Sequence, residues 1–263
     1  MMKRLVRYCL FIALSLGAGH VYPATAGHDT LDIYLCIGQS NMAGRGIITD
    51  AYRDTLKHVY LLNGEGAMEA ACHPLNRYSS IRKEPGMQKV GPAYSFAEAL
   101  TGRTGRAIGL VVNARGGSSI NAWLKGADEG YYDEALSRLR QALKFGKLRG
   151  IIWHQGEADS KYPESYMAKL QQLVSDLRTD LGDPSLPFVV GELARWLPAS
   201  PAFNRMLRKV SRYIPYTACV SARGLTPLID KTDPHFDAAS QEKLGKRYAT
   251  VLTNVQSLRA TAR

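Results

Sequence analysis

A serine and a histidine far apart in the chain, each in a short polar segment, are the residues best suited to do chemistry. Ser40 stands in Gly-Gln-Ser-Asn directly after an apolar run, and His235 stands in Asp-Pro-His-Phe-Asp about 195 residues later. A serine hydroxyl becomes a nucleophile when a base takes its proton and a third group orients that base. The two segments therefore predict acyl transfer, with Ser40 as the nucleophile and His235 as the base.

Two carboxylates are candidates for the group that orients the base. Asp233 stands two residues before His235, but Pro234 lies between them and restricts the backbone of Asp233. Glu157 lies in Trp-His-Gln-Gly-Glu after another apolar run. Either carboxylate would fix the imidazole tautomer and stabilise the imidazolium ion, so the sequence leaves both open. His154 in the same segment is a rival base, although its place inside a predicted strand argues against that role.

Three groups could donate hydrogen bonds to the oxyanion of a tetrahedral intermediate. They are the backbone N–H of Ser40 at a predicted helix start, the N–H of Gly117 in a Gly-Gly pair, and the side-chain amide of Gln155. Each has a structural alternative: a helix cap for Ser40, a plain turn for the glycines, and a buried, internally bonded amide for Gln155.

Three further side chains are candidates for contact with a substrate near this site: Arg45, Arg115 and Trp123. An aromatic face could pack on a substrate, but a role in the core is an equally good interpretation of Trp123.

Short apolar runs alternate with helical patterns along the chain. Strands are predicted at 31–37, 58–62, 107–113, 149–154, 187–192 and 216–220, and helices at 92–101, 132–145, 163–181, 201–213 and 238–256. This alternation predicts an α/β fold, with a doubly wound, mostly parallel sheet between two helical layers. The polar motifs follow predicted strands, so we expect them to meet at the carboxyl edge of the sheet. The Gly- and Pro-rich residues 63–90 are predicted to form a long loop that shapes a binding site.

The first 26 residues have the pattern of a signal peptide. Lys3, Arg4 and Arg7 precede a short apolar run that ends before Ala24-Thr25-Ala26. We therefore expect cleavage after Ala26, a secreted or periplasmic protein, and a single domain over residues 27–263. The remaining chain has no second apolar segment long enough to span a bilayer, so no stable membrane insertion is expected after cleavage.

Charge and cysteine content limit the classes of function. Net charge is +11 and becomes +8 without the predicted signal peptide, but no basic stripe with interleaved aromatics predicts nucleic-acid binding. No Cys/His spacing indicates a metal site, and no cofactor is expected. Of the remaining cysteines, Cys36 is expected to be buried, while a disulfide between Cys72 and Cys219 stays open. The sequence does not indicate an oligomeric state.

Four motifs together resemble the signature blocks of SGNH hydrolases. They are Gly-Gln-Ser-Asn-Met (38–42), Arg-Gly-Gly-Ser-Ser-Ile (115–120), Trp-His-Gln-Gly-Glu-Ala-Asp (153–159) and Asp-Pro-His-Phe-Asp (233–237). They are most similar to the branch of sialate O-acetylesterases and of acetylxylan esterases in carbohydrate esterase family 6. The resemblance covers nearly the whole chain after residue 26.

The resemblance implies a flavodoxin-like three-layer fold and metal-free hydrolysis of O-acetyl esters on carbohydrates. It implies Ser40 as nucleophile, His235 as base, and Gly117 and Gln155 as oxyanion donors. One departure concerns the acid: many SGNH enzymes have Asp three residues before the histidine, where this chain has Thr232. Glu157 resembles the acid of the acetylxylan esterase branch. Two alternative functions stay open: a carbohydrate-binding protein that does not hydrolyse its ligand, and an esterase for a different acyl group.

Overall fold

One seven-stranded sheet runs through the part of the chain that the computed structural model describes, residues 31–261. The predicted signal peptide lies outside these residues. The strands are β1 (Leu31–Gly38), β2 (Val59–Leu62), β3 (Met68–Ala70), β4 (Ile108–Ala114), β5 (Gly146–His154), β6 (Phe188–Gly191) and β7 (Thr217–Val220). Their order is β3-β2-β4-β1-β5-β6-β7, and all neighbours are parallel except the β2–β3 pair.

Helices cover both faces of this sheet. They are α1 (Ser40–Ala43), α2 (Ala93–Thr104), α3 (Tyr131–Ala142), α4 (Pro163–Asp180), α5 (Ser200–Leu207), α6 (Val210–Tyr213) and α7 (Ala238–Thr261). The side chains of β1 alternate between two cores: Leu35 packs on the side of α3, α4 and α5, and Cys36 on the side of α2 and α7. Apolar residues on both faces explain why the strand reads as an unbroken apolar run. The predicted three-layer α/β/α fold is confirmed.

The predicted elements differ from the observed ones in three places. Strand β3 lies inside residues 63–90, which were expected to be irregular; it is short and pairs only along the sheet edge. Helix α2 continues through Gly102 and ends at Gly105, whose φ of +66° is a left-handed helix stop. The helix expected at 201–213 is divided into α5 and α6.

Two further observations concern the described residues as a whole. No helix within residues 31–261 has the length and apolarity required to cross a bilayer. The thiols of Cys36, Cys72 and Cys219 are free, so the disulfide that the sequence left open between Cys72 and Cys219 is not formed.

Gly38 ends β1 between its neighbours β4 and β5, at the point where the chain turns into α1. Its φ is +136°, and a Cβ at this position would stand 2.2 Å from the main-chain oxygen of His154. The same oxygen accepts a hydrogen bond of 2.8 Å from the N–H of Gln39. Only glycine allows this close approach, which fixes the direction in which the chain leaves the strand.

We expect Gly38→Ala to lower the free energy of unfolding by about 2–5 kcal/mol, because it combines backbone strain with a collision against β5. Chemical denaturation measures the change. Gly102→Ala is the matched control: this exposed helical glycine has no atom within 4 Å of an added Cβ. The control should stabilise α2 by about 0.5–1 kcal/mol. Equal effects of the two substitutions would contradict the role of Gly38.

Candidate active site

Three polar segments leave neighbouring strands side by side at the carboxyl edge of the sheet. Gly38 at the end of β1 is in register with Ala114 of β4 and with His154 of β5. The residues that follow these three positions include Ser40, Gly117 and Gln155. The sheet therefore brings together three of the four segments that the sequence singled out.

Asn41 joins the fourth segment to the other three. Its side chain is fully buried; Nδ2 donates to the main-chain oxygen of Pro234 at 3.0 Å, and Oδ1 accepts from the N–H of Phe236 at 3.1 Å. Asn41 follows Ser40, and Pro234 and Phe236 flank His235. The residue after the candidate nucleophile is thus bonded to the chain on both sides of the candidate base.

Ser40 is the first residue of α1 and is largely buried. Its carbonyl oxygen accepts the N–H of Gly44, whereas its own N–H lies in the first turn, where helical N–H groups have no partner within the helix. Ser40 Oγ and the His235 ring are not hydrogen-bonded to each other in this structure. Such bonds are often long without substrate and tighten in the complex.

His235 is paired with Asp233 and not with Glu157. Its Nδ1 lies 2.7 Å from Asp233 Oδ1, and its backbone N–H donates to the same oxygen at 2.9 Å. Trp196 Nε1 donates to the main-chain oxygen of Asp233 at 2.8 Å and so steadies the turn. The bend that Pro234 imposes returns the Asp233 carboxylate to the imidazole. Of the two acids left open by the sequence, this geometry favours Asp233.

The surroundings of His235 lower the pKa of its imidazole below the ordinary value of 6.5. Burial is the largest cause, the carboxylate of Asp233 opposes it, and the positive charge of Arg45 adds to the lowering. The ring is 26% exposed, so solvent still reaches it. A lowered pKa keeps this imidazole neutral at neutral pH, which is the form that can accept a proton.

Glu157 occupies a different environment. Its Oε1 accepts a 2.7 Å hydrogen bond from Asn41 Nδ2, its Oε2 is buried without a hydrogen-bond partner, and His154 Nε2 is 3.9 Å away. Burial raises the pKa of this carboxyl to about 7, and the bond from Asn41 only partly offsets the effect. A carboxyl that is partly protonated at neutral pH is poorly suited to stabilise an imidazolium ion.

His154, the rival base, is enclosed in the core. Its ring is fully buried, its Nδ1 is 3.0 Å from the hydroxyl of Tyr248, and burial lowers its pKa to about 3. The absence of a side chain at Gly191 makes room for the ring, because a Cβ there would stand 2.4 Å from His154 Nδ1. The structure places His154 as a core residue.

Gly116 and Gly117 form a tight turn after β4. The turn is closed by a hydrogen bond of 3.3 Å from the N–H of Ser118 to the main-chain oxygen of Arg115, and Gly117 has a φ of +75°. The N–H of Gly117 takes no part in that bond, and the residue is exposed. No main-chain hydrogen bond engages the Gly117 N–H within the described residues, and its role as an oxyanion donor stays a prediction.

The amide of Gln155 is engaged inside the protein. Its Nε2 lies within hydrogen-bond distance of three acceptors: Gln39 Oε1 at 3.1 Å, the main-chain oxygen of Ser118 at 2.9 Å and Asp159 Oδ2 at 2.6 Å. Its Oε1 accepts the hydroxyl of Tyr166 at 2.8 Å. Since an amide has two N–H bonds, Gln155 would have to exchange one of these partners to bind an oxyanion. Its oxyanion role stays a prediction.

The three residues expected to contact substrate have different positions. Arg115 lines an open cleft of about 560 Å³ with residues 82–85 and Met87, and Arg45 is buried beside Gly116. Trp123 is fully buried against Trp153, and its Nε1 donates to Ser118 Oγ at 2.9 Å. Contact between Trp123 and substrate was therefore a wrong expectation; the ring is in the core, the alternative that the sequence left open.

Several polar residues that build the site were not singled out from the sequence. Asn41 is the clearest; the others are Gln39, Asn76 and Asp159. Asp159 Oδ2 accepts from the N–H of Ile120, and Asn76 Oδ1 accepts from the N–H of Ala114, so both hold the loop that contains Gly117. Asn41, Gln39 and Asp159 lie within the motifs at 38–42 and 153–159, so their place in those motifs could have identified them. Asn76 lies in the segment predicted to be a loop and carried no such signal.

Among residues 31–261, no three His, Cys, Asp or Glu side chains are grouped as they would be to bind a metal ion.

The chain is an α/β protein whose polar loops meet at one edge of a mostly parallel sheet. The family model for a carbohydrate esterase, sialic acid-specific acetylesterase, matches residues 30–254. The chain belongs to this family of carbohydrate esterases.

Individual relatives agree with this assignment. A probable carbohydrate esterase of Arabidopsis thaliana is 29% identical over 236 residues, which cover 81% of this chain and 86% of the relative. Its X-ray structure has a TM-score of 0.76 at 26% identity, over 86% of this chain and 98% of that one. The structure of NanS has a TM-score of 0.65 at 18% identity, over 86% and 97% of the two chains, and supports the fold alone.

A third solved structure, a carbohydrate acetylesterase from Xanthomonas citri, has a TM-score of 0.57 at 20% identity. It covers 85% of this chain and 56% of its own, and it too supports only the fold.

We expect Glu157→Gln to gain stability relative to the parent protein as the pH rises. The folded state binds the Glu157 proton more tightly than the unfolded state, so the parent loses stability between pH 4.5 and about 7. Glutamine does not ionise and avoids this loss. The stability difference between variant and parent should change by up to about 3 kcal/mol between pH 5 and pH 8.

Urea denaturation at the two pH values measures this difference. Glu129→Gln, which removes the same charge from an exposed position, is the control and should change the difference by less than about 0.5 kcal/mol. A pH-independent difference for Glu157→Gln would show that its carboxyl ionises normally.

Proposed function

We propose that this carbohydrate esterase is a serine esterase that removes O-acetyl groups from a glycan of the acetylxylan or sialate type. The observation that carries the proposal is the His235–Asp233 pair, held next to Ser40 by the hydrogen bonds of Asn41. Export by the predicted signal peptide, to a secreted or periplasmic location, is part of the proposal.

In this mechanism Ser40 Oγ attacks the acetyl carbonyl carbon while His235 accepts the serine proton. Asp233 bonds to the opposite ring nitrogen and so presents Nε2 to the serine. The N–H groups of Ser40 and Gly117 bind the oxyanion, and removal of one such donor costs about 3–4 kcal/mol of barrier in comparable enzymes. His235 then protonates the leaving sugar oxygen, and water releases acetate from the acyl-enzyme.

The carbohydrate part of the substrate is supported by the family and by the Arabidopsis relative, whose name is probable carbohydrate esterase. An open cleft beside Gly117 provides space for a sugar next to the reacting group. Three basic residues face this cleft, Arg82, Lys83 and Arg115, and one acid, Glu84. The balance favours glycans that carry negative charge.

Acetate release from 4-nitrophenyl acetate, acetylated xylan and O-acetylated sialic acid tests the proposal. We expect turnover of at least one acetylated glycan, and loss of more than about 10³-fold in kcat for Ser40→Ala, since the acyl-enzyme cannot form. Binding of glycan without acetate release would indicate a carbohydrate-binding protein. A preference for long acyl chains over acetyl esters would indicate a different esterase.

Asp233→Asn should lower kcat by about 10²–10⁴-fold, because the amide no longer fixes the tautomer or stabilises the imidazolium ion. Loss of the negative charge also lowers the pKa of His235, so the acidic limb of kcat/KM should move to lower pH. Steady-state rates across pH measure both effects.

Glu157→Gln is the companion variant and should cost less than about tenfold in kcat, since Glu157 contacts Asn41 and not His235. The reverse order of effects would assign the acid role to Glu157. If neither variant costs tenfold, the enzyme works as a Ser-His dyad.

A further inference from the structure

Arg45 is a buried cation without an acidic partner. The residue is 8% exposed, and its hydrogen bonds run from Nη1 to the main-chain oxygens of Gly44 at 2.7 Å and Met87 at 2.9 Å. Among the described residues it forms no ion pair with a carboxylate. Burying a charge that is not neutralised is costly, and burial lowers the pKa of this guanidinium.

The Nη2 end of this guanidinium lies close to the Gly116 turn and near Ser40. Nη2 of Arg45 lies 2.5 Å from the point where a Cβ of Gly116 would stand, and Ser40 Cβ lies 3.7 Å from the same point. The missing side chain at Gly116 is what permits this approach. The charge also reaches His235, where it adds to the effect of burial in lowering the imidazole pKa.

The site has few free hydrogen-bond donors for an oxyanion, and the guanidinium of Arg45 would add one. The backbone N–H groups of Ser40 and Gly117 are available, but the amide of Gln155 already has three acceptors within the protein. Attack on an ester moves a pair of electrons onto the carbonyl oxygen, and preorganised positive groups at that point give the largest single electrostatic gain in acyl transfer.

We propose that Arg45 stabilises the oxyanion that forms when Ser40 attacks the ester, as a third group beside the N–H groups of Ser40 and Gly117. The Ser40 Oγ–carbon bond forms, the serine proton goes to His235, and the carbonyl π electrons become the oxyanion that faces Arg45. When the intermediate collapses, the bond to the sugar oxygen breaks and His235 returns the proton to it. Arg45 keeps its own protons throughout. The inference rests on the proposed serine mechanism.

Binding of a substrate carboxylate is the competing use of such a cation. The depth of Arg45 argues against it: Arg45 is 8% exposed, whereas Lys83 is exposed and Arg82 and Arg115 are half-buried in the outer cleft, where a charged sugar would lie. Arg45 instead lies beside Gly116 and near Ser40.

The variants Arg45→Gln and Arg45→Lys test the inference with 4-nitrophenyl acetate, a substrate that has neither sugar nor carboxylate. We expect Arg45→Gln to lower kcat by about 10²–10³-fold with KM changed less than about threefold, the pattern of an interaction made in the transition state. Arg45→Lys keeps the positive charge and should retain more of kcat than Arg45→Gln. It also provides the test if the glutamine variant does not fold.

Arg178→Gln is the matched control. Arg178 is 9% exposed and, like Arg45, donates to main-chain oxygens, here those of Leu186 and Pro215. Active sites are counted by titration with a serine-reactive organophosphate, and rates are expressed per active site. On this basis the kcat of the control should stay within about twofold of the parent value. A comparable loss in the control would show that the Arg45 effect is structural and would overturn the inference.

Two other outcomes would also overturn it. One is a kcat of Arg45→Gln within threefold of the parent on 4-nitrophenyl acetate. The other is a loss confined to KM on acetylated glucuronoxylan, which would make Arg45 a carboxylate-binding residue. Ser40→Ala separates this inference from the proposed function. If Ser40→Ala stays active, the serine mechanism fails; if it is inactive while Arg45→Gln is normal, only the present inference fails.

Discussion

The four hydrogen bonds of the Asn41 side chain are the constraint on which the site depends. Nδ2 donates to Glu157 Oε1 and to the main chain at Pro234, while Oδ1 accepts from Phe236 and from Gln241 Nε2. All the hydrogen-bonding capacity of a fully buried amide is thereby used. Loss of any partner would leave a buried polar atom unsatisfied, at about 1–3 kcal/mol. This cost helps to hold together two segments that are about 195 residues apart in the chain.

Two acidic groups near this amide, Glu157 and Asp233, have different environments. Glu157 is bonded to Asn41, where burial favours its neutral form. Asp233 lies in a turn in which its carboxylate accepts the N–H of His235 and its main-chain oxygen accepts Trp196 Nε1. An acid that orients a base must bond to its imidazole, which Asp233 does with His235 and Glu157 does not, so the two carboxylates suit different roles. Their contacts, rather than their distance from His235 in the sequence, distinguish the two acids.

Sequence patterns were sufficient for the fold and for the sheet edge at which the polar motifs meet, but not for the contacts among their side chains. Apolar runs such as that of β1 report burial on both faces of a sheet, and the polar residues after them must then share one edge. The edge strand β3 and the break between α5 and α6 depend on tertiary packing and carry weak local signals. The engaged amide of Gln155 and the buried ring of Trp123 depend on which neighbours reach them in space. Residue type shows what a side chain can do, while its neighbours determine whether it is free to do so.

The pair Gly116-Gly117 illustrates how one motif combines two unrelated requirements. Gly117 is needed for its backbone, since a φ of +75° is unfavourable for residues with a side chain. Gly116 is needed for space, since a side chain there would displace the guanidinium of Arg45 from its place beside Ser40. A turn alone would require only the glycine with the positive φ, Gly117. Gly116 is explained by the guanidinium of Arg45, which packs against the turn. The motif therefore depends on a charged residue that lies 71 positions earlier in the chain.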